Sequence, residues 1–253
     1  MFSTLSQIAK WIVVLLATFV FLIPACIIGP FFKRGAFAIL KIWGRFALFI
    51  FSITVEVEDR NNGSYNNPPY IFINLNQTSL TETFIMAAYT PANFITISNI
   101  EYAIIPLVGW IQIALGGIII IKQNKTKAKK SIERAQEVLK IKKNNMMISI
   151  EGKRTEDGEL QPYKKGPIVL ALANHTPIVP YITIGAYECM PYGSWKIKPG
   201  KINLIYDKIV DTNSYNIDDR NKLLSLLRTI AEKELNLKQE VIKNDSRILI
   251  HTF

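Results

Sequence analysis

Apolar runs and amphipathic segments follow one another along this chain of 253 residues, and their order predicts an α/β domain. Short apolar or alternating runs, typical of strands, occupy residues 54–58, 70–75, 118–121, 146–150, 177–183 and 199–210. Apolar positions at three- and four-residue spacing predict helices over residues 83–89, 124–143, 168–173 and from 218 onward. The first of these strands alternates like an edge strand.

Residues 11–32 form an uncharged stretch near the N-terminus, long enough to cross the hydrocarbon core of a bilayer. Pro24 and Pro30 interrupt it, so a kinked helix, or one that enters and leaves on the same side, is also compatible with the pattern. The flanking basic residues are Lys10 on one side and Lys33, Arg34, Lys41 and Arg45 on the other. The positive-inside rule then places the following residues in the cytoplasm. A cleaved signal peptide is the alternative, and the proline within its candidate cleavage site argues against it.

Residues 36–53 are a second apolar segment, expected to lie against the membrane as an amphipathic helix because it carries Lys41 and Arg45. The sequence therefore predicts membrane anchor helices over residues 1–53 and an α/β domain over residues 54–253. The two parts together predict a membrane protein whose domain is on the cytoplasmic face.

Composition and charge narrow the classes of partner. Apolar residues make up 49% of the chain, and the formal net charge is +10. Such a balance suits nucleic acid, an anionic membrane surface or an anionic substrate. The sequence has no helix-turn-helix, zinc-finger or aromatic RNA-binding signature, so membrane lipid and phosphate are preferred and nucleic acid is not expected. The cysteines, Cys26 and Cys189, and the histidines, His175 and His251, indicate neither a disulfide framework nor a metal site.

The most informative stretch is residues 146–166, where a buried strand breaks into an exposed polar turn. Glu151 and Gly152 open that turn, and the glycine allows a backbone to approach a ligand closely. Two basic pairs flank the loop, Lys153 with Arg154 and Lys164 with Lys165. Because open α/β folds bind ligands at the carboxyl ends of their strands, the loop suits a phosphate.

Three other stretches carry polar residues at notable spacing. Residues 76–82, NQTSLTE, follow the strand 70–75, and Ser79 with Glu82 is also a capping box that any helix can use. Residues 101–110 have the form E-x4-P-x2-G-W and lead to an apolar run that ends at Lys122. This pattern is also typical of a plain helix followed by a strand that ends in a solvated lysine. Residues 177–183 form a strand with two prolines, which is also typical of an edge strand.

Taken together and in this order, the four stretches resemble the signature blocks of the glycerophospholipid acyltransferase family, the 1-acylglycerol-3-phosphate acyltransferases and their relatives. NQTSLTE corresponds to the first block, N-H-x-S-x-x-D, with Gln77 in place of the His and Glu82 in place of the Asp. Lys122 stands where the second block has an Arg. Glu151, Gly152 and Arg154 match the third block, F-P-E-G-T-R-S, and residues 177–183 match the fourth.

The resemblance implies a mixed, mostly parallel sheet flanked by helices. It also implies a membrane-bound O-acyltransferase that moves a fatty acyl group from acyl-CoA or acyl carrier protein to a lysophospholipid, with no metal and no tightly bound cofactor. The acceptor's phosphate would be held by the basic and loop residues Lys122, Gly152, Lys153 and Arg154. Glu151 would order this basic cluster or bind a hydroxyl.

The first block raises a chemical question, because the family's His deprotonates the acceptor hydroxyl and Gln77 has no basic lone pair near neutral pH. Glu82 is the preferred replacement, acting as the base directly or through a water, with Gln77 positioning the hydroxyl. His175 precedes the fourth-block strand and is therefore expected at the opposite end of the sheet. In the remaining alternative the chain is catalytically impaired and acts as a membrane protein that binds lipid or acyl carrier.

Overall fold

The computed structural model describes residues 4–65, 69–120 and 125–250, except for the side chains of residues 101, 102, 125–129 and 238–250. Its strands are β1 (Ile53–Asp59), β2 (Ile71–Asn74), β3 (Phe94–Asn99), β4 (Ile118–Ile120), β5 (Asn145–Ser149), β6 (Ile178–Ile184) and β7 (Gly200–Tyr206). The helices are α1 (Thr4–Ile28), α2 (Lys33–Ile50), α3 (Glu82–Tyr89), α4 (Ile100–Ala103), α5 (Val108–Ala114), α6 (Lys125–Lys140), α7 (Gly166–Ala173), α8 (Ala186–Cys189) and α9 (Arg220–Ile250), with a short 3-10 helix, Ile217–Asp219.

Within the described residues, seven strands form one sheet in the order β1-β7-β6-β2-β5-β3-β4. Each neighbouring pair is parallel except β6 and β7, which are antiparallel. The expected mixed, mostly parallel sheet is therefore confirmed, and β1 is an edge strand as predicted. Strand β3 was not predicted, because its sequence, FITISN, mixes apolar and polar residues and leads directly into a helix.

The edge-strand interpretation of residues 177–183 is wrong, because β6 lies between β2 and β7 and is buried along its whole length. Pro180 is tolerated there for a local reason. The carbonyl O of Pro180 accepts a hydrogen bond from the backbone N–H of Asp207 at 2.9 Å. The ladder with β7 begins at the pair Tyr181 and Tyr206, and an isolated bridge joins Ile178 to Val210 on the other side of Pro180. Pro180 lies in the gap between them, where its missing N–H removes no ladder bond.

Helices cover both faces of the sheet. One face packs against α1, α2, α3 and α5 through side chains such as Phe72, Met147 and Tyr181. The other face packs against α6, α7 and α9 through side chains such as Ile71, Met146 and Ile182. Leu223, Leu227 and Ala231 of α9 are fully buried on this second face.

The two N-terminal helices lie against the α/β domain. Among the described residues, α1 is the one helix long and apolar enough to cross a membrane by length and composition. Near its start, Gln7 Nε2 donates to the carbonyl O of Ile197 at 2.8 Å, and Trp11 Nε1 donates to the carbonyl O of Trp195 at 2.7 Å. Just beyond its end, a Cβ on Gly29 would lie 3.5 Å from the Cβ of Ala114 in α5. Helix α1 is thus attached to the domain at both ends, while the division at residue 53 stays a prediction.

Candidate active site

The first and third stretches meet at the carboxyl edge of the sheet, because β2 and β5 are adjacent and parallel. The backbone N–H of Gln77 donates to Oε2 of Glu151 at 2.6 Å. In return, the backbone N–H of Thr155 donates to the carbonyl O of Gln77 at 2.8 Å. The loop that follows β2 is therefore joined to the loop that follows β5. His175 precedes β6, which runs parallel to β2, so it lies at the opposite edge as expected.

Glu151 links its own loop to the backbone of two other segments, at Gln77 and Gln161. Its second oxygen, Oε1, accepts a hydrogen bond from the backbone N–H of Gln161 at 2.7 Å, and its side chain is buried. Burial raises the pKa of Glu151 to about 7, opposed by the hydrogen bonds from Gln77 and Gln161, while the nearby charge of Glu82 raises it further. Glu151 thus joins the backbone of the two loops, while its expected ordering of the basic cluster stays a prediction.

Glu82 is the first residue of α3, and its carboxylate is held by four hydrogen bonds. Oε1 accepts from the backbone N–H of Thr78 at 2.7 Å, the hydroxyl of Thr78 at 2.9 Å and the backbone N–H of Ser79 at 3.0 Å. Oε2 accepts from Nδ2 of Asn74 at 3.0 Å. Burial raises the pKa of Glu82, and the bonds from Thr78 and Ser79 work against that increase.

The capping-box interpretation of Ser79 and Glu82 is half right. The bond from the Ser79 N–H to Glu82 is present, but the hydroxyl oxygen of Ser79 accepts from the backbone N–H of Thr81 at 3.2 Å instead. Helix α3 has no side-chain hydrogen bond at its N-cap, Thr81. The Glu82 carboxylate consequently orders the loop that carries Gln77, because it accepts hydrogen bonds from the backbone just before helix α3.

A cavity of about 610 Å³ connects this polar corner to the apolar helices. Its polar end includes Asn74, Gln77 and Glu82, together with Gly152 and Lys164. Apolar side chains from α1, α2, α3 and α5 line another part, among them Leu22, Phe37, Leu40, Trp43, Met86, Val108, Ile111 and Leu115. The buried carboxylate of Glu82 therefore borders a cavity that is lined mainly by apolar side chains.

Gly152 has a φ of +68°, and one basic residue of the third stretch, Lys164, lies against it. A Cβ on Gly152 would lie 2.8 Å from Nζ of Lys164, so the lysine packs against the glycine backbone. The guanidinium carbon of Arg154 lies 5.2 Å from the ring centroid of Tyr192. Lys153 is exposed, and Lys122 lies outside the described residues.

Two residues at the site went beyond the predicted set. Asn74 donates to Glu82 and lines the cavity, but it lies inside the apolar run 70–75, and only the strand register shows where its side chain points. Lys164 belongs to a basic pair that the sequence placed beside the loop, and it lines the cavity with Gly152. In contrast, Glu151, Lys153 and Arg154 are not among the residues that line it.

A family model described as Acyltransferase matches residues 55–184, just over half of the chain, from β1 to the end of β6. The chain belongs to the acyltransferase family. Each of the four stretches singled out in the sequence falls within the matched residues. The acyltransferase fold is also that of a solved structure, the 1-acyl-sn-glycerophosphate acyltransferase PlsC from Thermotoga maritima, with a TM-score of 0.74 and 20% identity, covering 92% of this chain and 95% of that one.

Curated relatives in the acyltransferase family have low sequence identity to this chain, but the matches cover most of its length. A 1-acyl-sn-glycerol-3-phosphate acyltransferase from Limnanthes alba is 25% identical over 206 residues, covering 81% of this chain and 72% of its own length. One from Escherichia coli strain K12 is 24% identical over 229 residues, covering 87% of this chain and 89% of its own length.

Proposed function

We propose that this acyltransferase moves a fatty acyl group from acyl-CoA or acyl carrier protein to the free hydroxyl of a lysophospholipid such as 1-acylglycerol-3-phosphate. The names of the relatives support this acceptor. The observation that carries the proposal is the buried carboxylate of Glu82, which borders an apolar cavity whose rim includes Gly152 and Lys164. A phosphate at the rim and an acyl chain in the cavity would leave the reacting hydroxyl near Glu82.

In the proposed reaction, Glu82 removes the proton of the acceptor hydroxyl, directly or through a water. The hydroxyl oxygen attacks the thioester carbonyl, the C–S bond breaks, and the thiolate takes the proton from Glu82, so that an ester and a free thiol are formed. A raised pKa suits this role, since a stronger carboxylate base takes up a proton more readily at neutral pH. Gln77 would position the hydroxyl, since a carboxamide offers both donors and an acceptor.

The basic residues would bind the acceptor's phosphate. Arg154 offers a planar fork of donors for it, and Tyr192 supports that guanidinium from one side. Lys153 and Lys164 would add point charges, and Lys122 is proposed from its position in the sequence alone. Gly152 would let the backbone approach the headgroup closely, and Glu151 would order the cluster by joining the loops after β2 and β5.

Membrane association is proposed for α1. Its attachments at Gln7 and Gly29 hold it along the domain surface, and the side facing away from the domain exposes large apolar side chains, among them Ile12, Leu16, Val20, Ile23 and Ile27. A helix held in this way would lie in one leaflet, with the domain on the cytoplasmic face where acyl thioesters are available. The lysophospholipid would then reach the cavity from the same leaflet.

The test is transfer of a labelled acyl group from an acyl thioester to 1-acylglycerol-3-phosphate by the purified protein. Activity in the wild type that disappears in Glu82→Gln supports a carboxylate base. The replacement of the family's His by Gln77 favours one other function, a protein that binds lipid or acyl carrier without turnover. A wild type without activity, together with a Gln77→His variant that is active, would support that second function.

A further inference from the structure

Helix α5 has two apolar faces, and only one of them is used by the cavity. Val108, Ile111 and Leu115 line the cavity at helical spacing. On the other side, Trp110 and Ile113 are 56% and 57% exposed, and Ile104, in the turn that links α4 to α5, is 71% exposed. We propose that this corner, defined here as the α4–α5 corner (residues 104–113), inserts into a lipid bilayer.

The corner has none of the charge that an ordinary solvated surface carries. Between Glu101 and Lys122 the sequence has no Asp, Glu, Lys or Arg. Large apolar residues on a surface are usually interspersed with charged ones, and a contiguous apolar patch marks an interaction site. A tryptophan at its edge is typical of the membrane interface, where one part of the ring is apolar and the indole N–H reaches water.

Close packing fixes the backbone of the corner, so that these exposed side chains are held in one direction. Leu107 has a φ of +63°, which is unfavourable for a branched residue, and its buried side chain anchors the turn in the core. Gly109 packs on α4 so tightly that a Cβ would lie 2.0 Å from the carbonyl O of Ala103. The residues of the E-x4-P-x2-G-W stretch thus build a fixed turn that holds Trp110 outward.

The corner continues the exposed apolar face of α1, which identifies lipid as its occupant. A Cβ on Gly29 would lie 3.5 Å from Ala114 in α5 and 3.6 Å from Leu115 just after it, and nearby in the chain Phe31 and Phe32 are both exposed. Basic groups border the joint surface: Nζ of Lys33 lies 3.7 Å from where a Cβ on Gly116 would be, and Arg34 is exposed. An apolar surface with a basic border complements the acyl region and the anionic headgroups of one leaflet.

The consequence would be that the cavity lies directly behind α5, one helix away from the acyl region of the bilayer. This inference rests on the membrane association proposed for α1. It adds a second contact, on a different element, and predicts that lipid binding does not depend on α1 alone.

The test is binding of the full-length protein to vesicles of phosphatidylcholine and phosphatidylglycerol, measured by flotation after dilution out of detergent. The double variant Trp110→Ser/Ile113→Ser should bind at least about tenfold more weakly than the wild type, because two apolar side chains are no longer transferred from water. The matched control is Ile217→Ser/Leu226→Ser, which removes apolar side chains exposed elsewhere on the domain and should bind like the wild type.

Quenching by lipids with brominated acyl chains provides a second readout that does not depend on a disruptive variant. The chain has four tryptophans, so the signal of Trp110 is the difference between the wild type and Trp110→Phe. That difference should be quenched strongly in vesicles, while Trp110→Phe should keep its binding.

The possible outcomes separate this inference from the proposed function. A wild type that does not bind vesicles refutes membrane association, and the insertion of the corner with it. Equal binding by the wild type and Trp110→Ser/Ile113→Ser, with no quenching of Trp110, refutes only the corner's role. A change of oligomeric state at unchanged vesicle binding would show that a second copy covers the corner, and would equally overturn the inference.

Discussion

Replacement of Glu82 by Gln separates catalysis from stability. The amide keeps the size and shape of the carboxylate, and its oxygen can still accept the three bonds from Thr78 and Ser79. The amide nitrogen would instead face Nδ2 of Asn74, which now donates to Oε2 at 3.0 Å. One of four hydrogen bonds is therefore lost, and no cavity is created.

The two expected effects differ in size. Loss of one hydrogen bond costs about 0.5–1.5 kcal/mol, and the neutral side chain no longer has to be ionised while buried, so unfolding free energy should change by less than about 2 kcal/mol. Loss of a general base should lower kcat by about 10²–10⁴-fold, which corresponds to about 3–5 kcal/mol in the activation free energy. Activity should thus fall far more than stability.

The assay compares steady-state acyl transfer with thermal unfolding for the wild type, Glu82→Gln and Glu82→Asp. The aspartate variant is the matched control, because it keeps an acid but withdraws it by one methylene, so activity should fall to a value between the other two. A Glu82→Gln protein that keeps more than a third of the wild-type kcat would refute a catalytic role. So would a loss of activity that merely follows a loss of folded protein.

Three further predictions concern the loop after β5. Burial raises the pKa of Glu151 from 4.5 to about 7, so the contribution of Glu151 to the free energy of unfolding is full below pH 4.5 and is lost as the pH rises through about 7. Glu151→Gln should flatten that part of the curve of stability against pH, measured by thermal unfolding. An unchanged slope would contradict this prediction. Gly152→Ala should destabilise the fold by roughly 1–2 kcal/mol in urea unfolding, because Gly152 has a φ of +68° and a Cβ would meet Lys164. Arg154→Ala should raise the apparent KM for a phosphate-bearing acceptor by roughly tenfold or more, and for a neutral acceptor much less; equal effects would argue against phosphate binding.

Much of the sheet could be predicted because most of its strands are continuous apolar runs between turns. Strands β2 and β5 are clear examples, and their adjacency brought the first and third stretches together as open α/β topology requires. Strand β3 could not be predicted, because polar residues interrupt its apolar pattern and its burial depends on neighbouring strands that are distant in sequence.

The cavity could not be predicted from the sequence. Its apolar part is formed where α1 and α2 pack over the sheet, and the pattern of these helices indicates only that they are hydrophobic. The side chains that border its polar end also depend on register. Asn74 reaches Glu82 because β2 ends there, and Lys164 reaches Gly152 because the intervening loop folds back.

Two buried carboxylates occupy the described part of the site, and their surroundings assign them different tasks. Both oxygens of Glu151 accept backbone N–H groups from loops after β2 and β5, and Glu151 does not line the cavity. A general base must reach the proton it removes, so Glu151 is unsuited to that role despite a pKa near neutrality. Glu82 does line the cavity, and its charge helps to raise the pKa of Glu151. If the chemistry uses a carboxylate, the geometry therefore favours Glu82 as the base and Glu151 as the residue that positions the loop carrying Gln77.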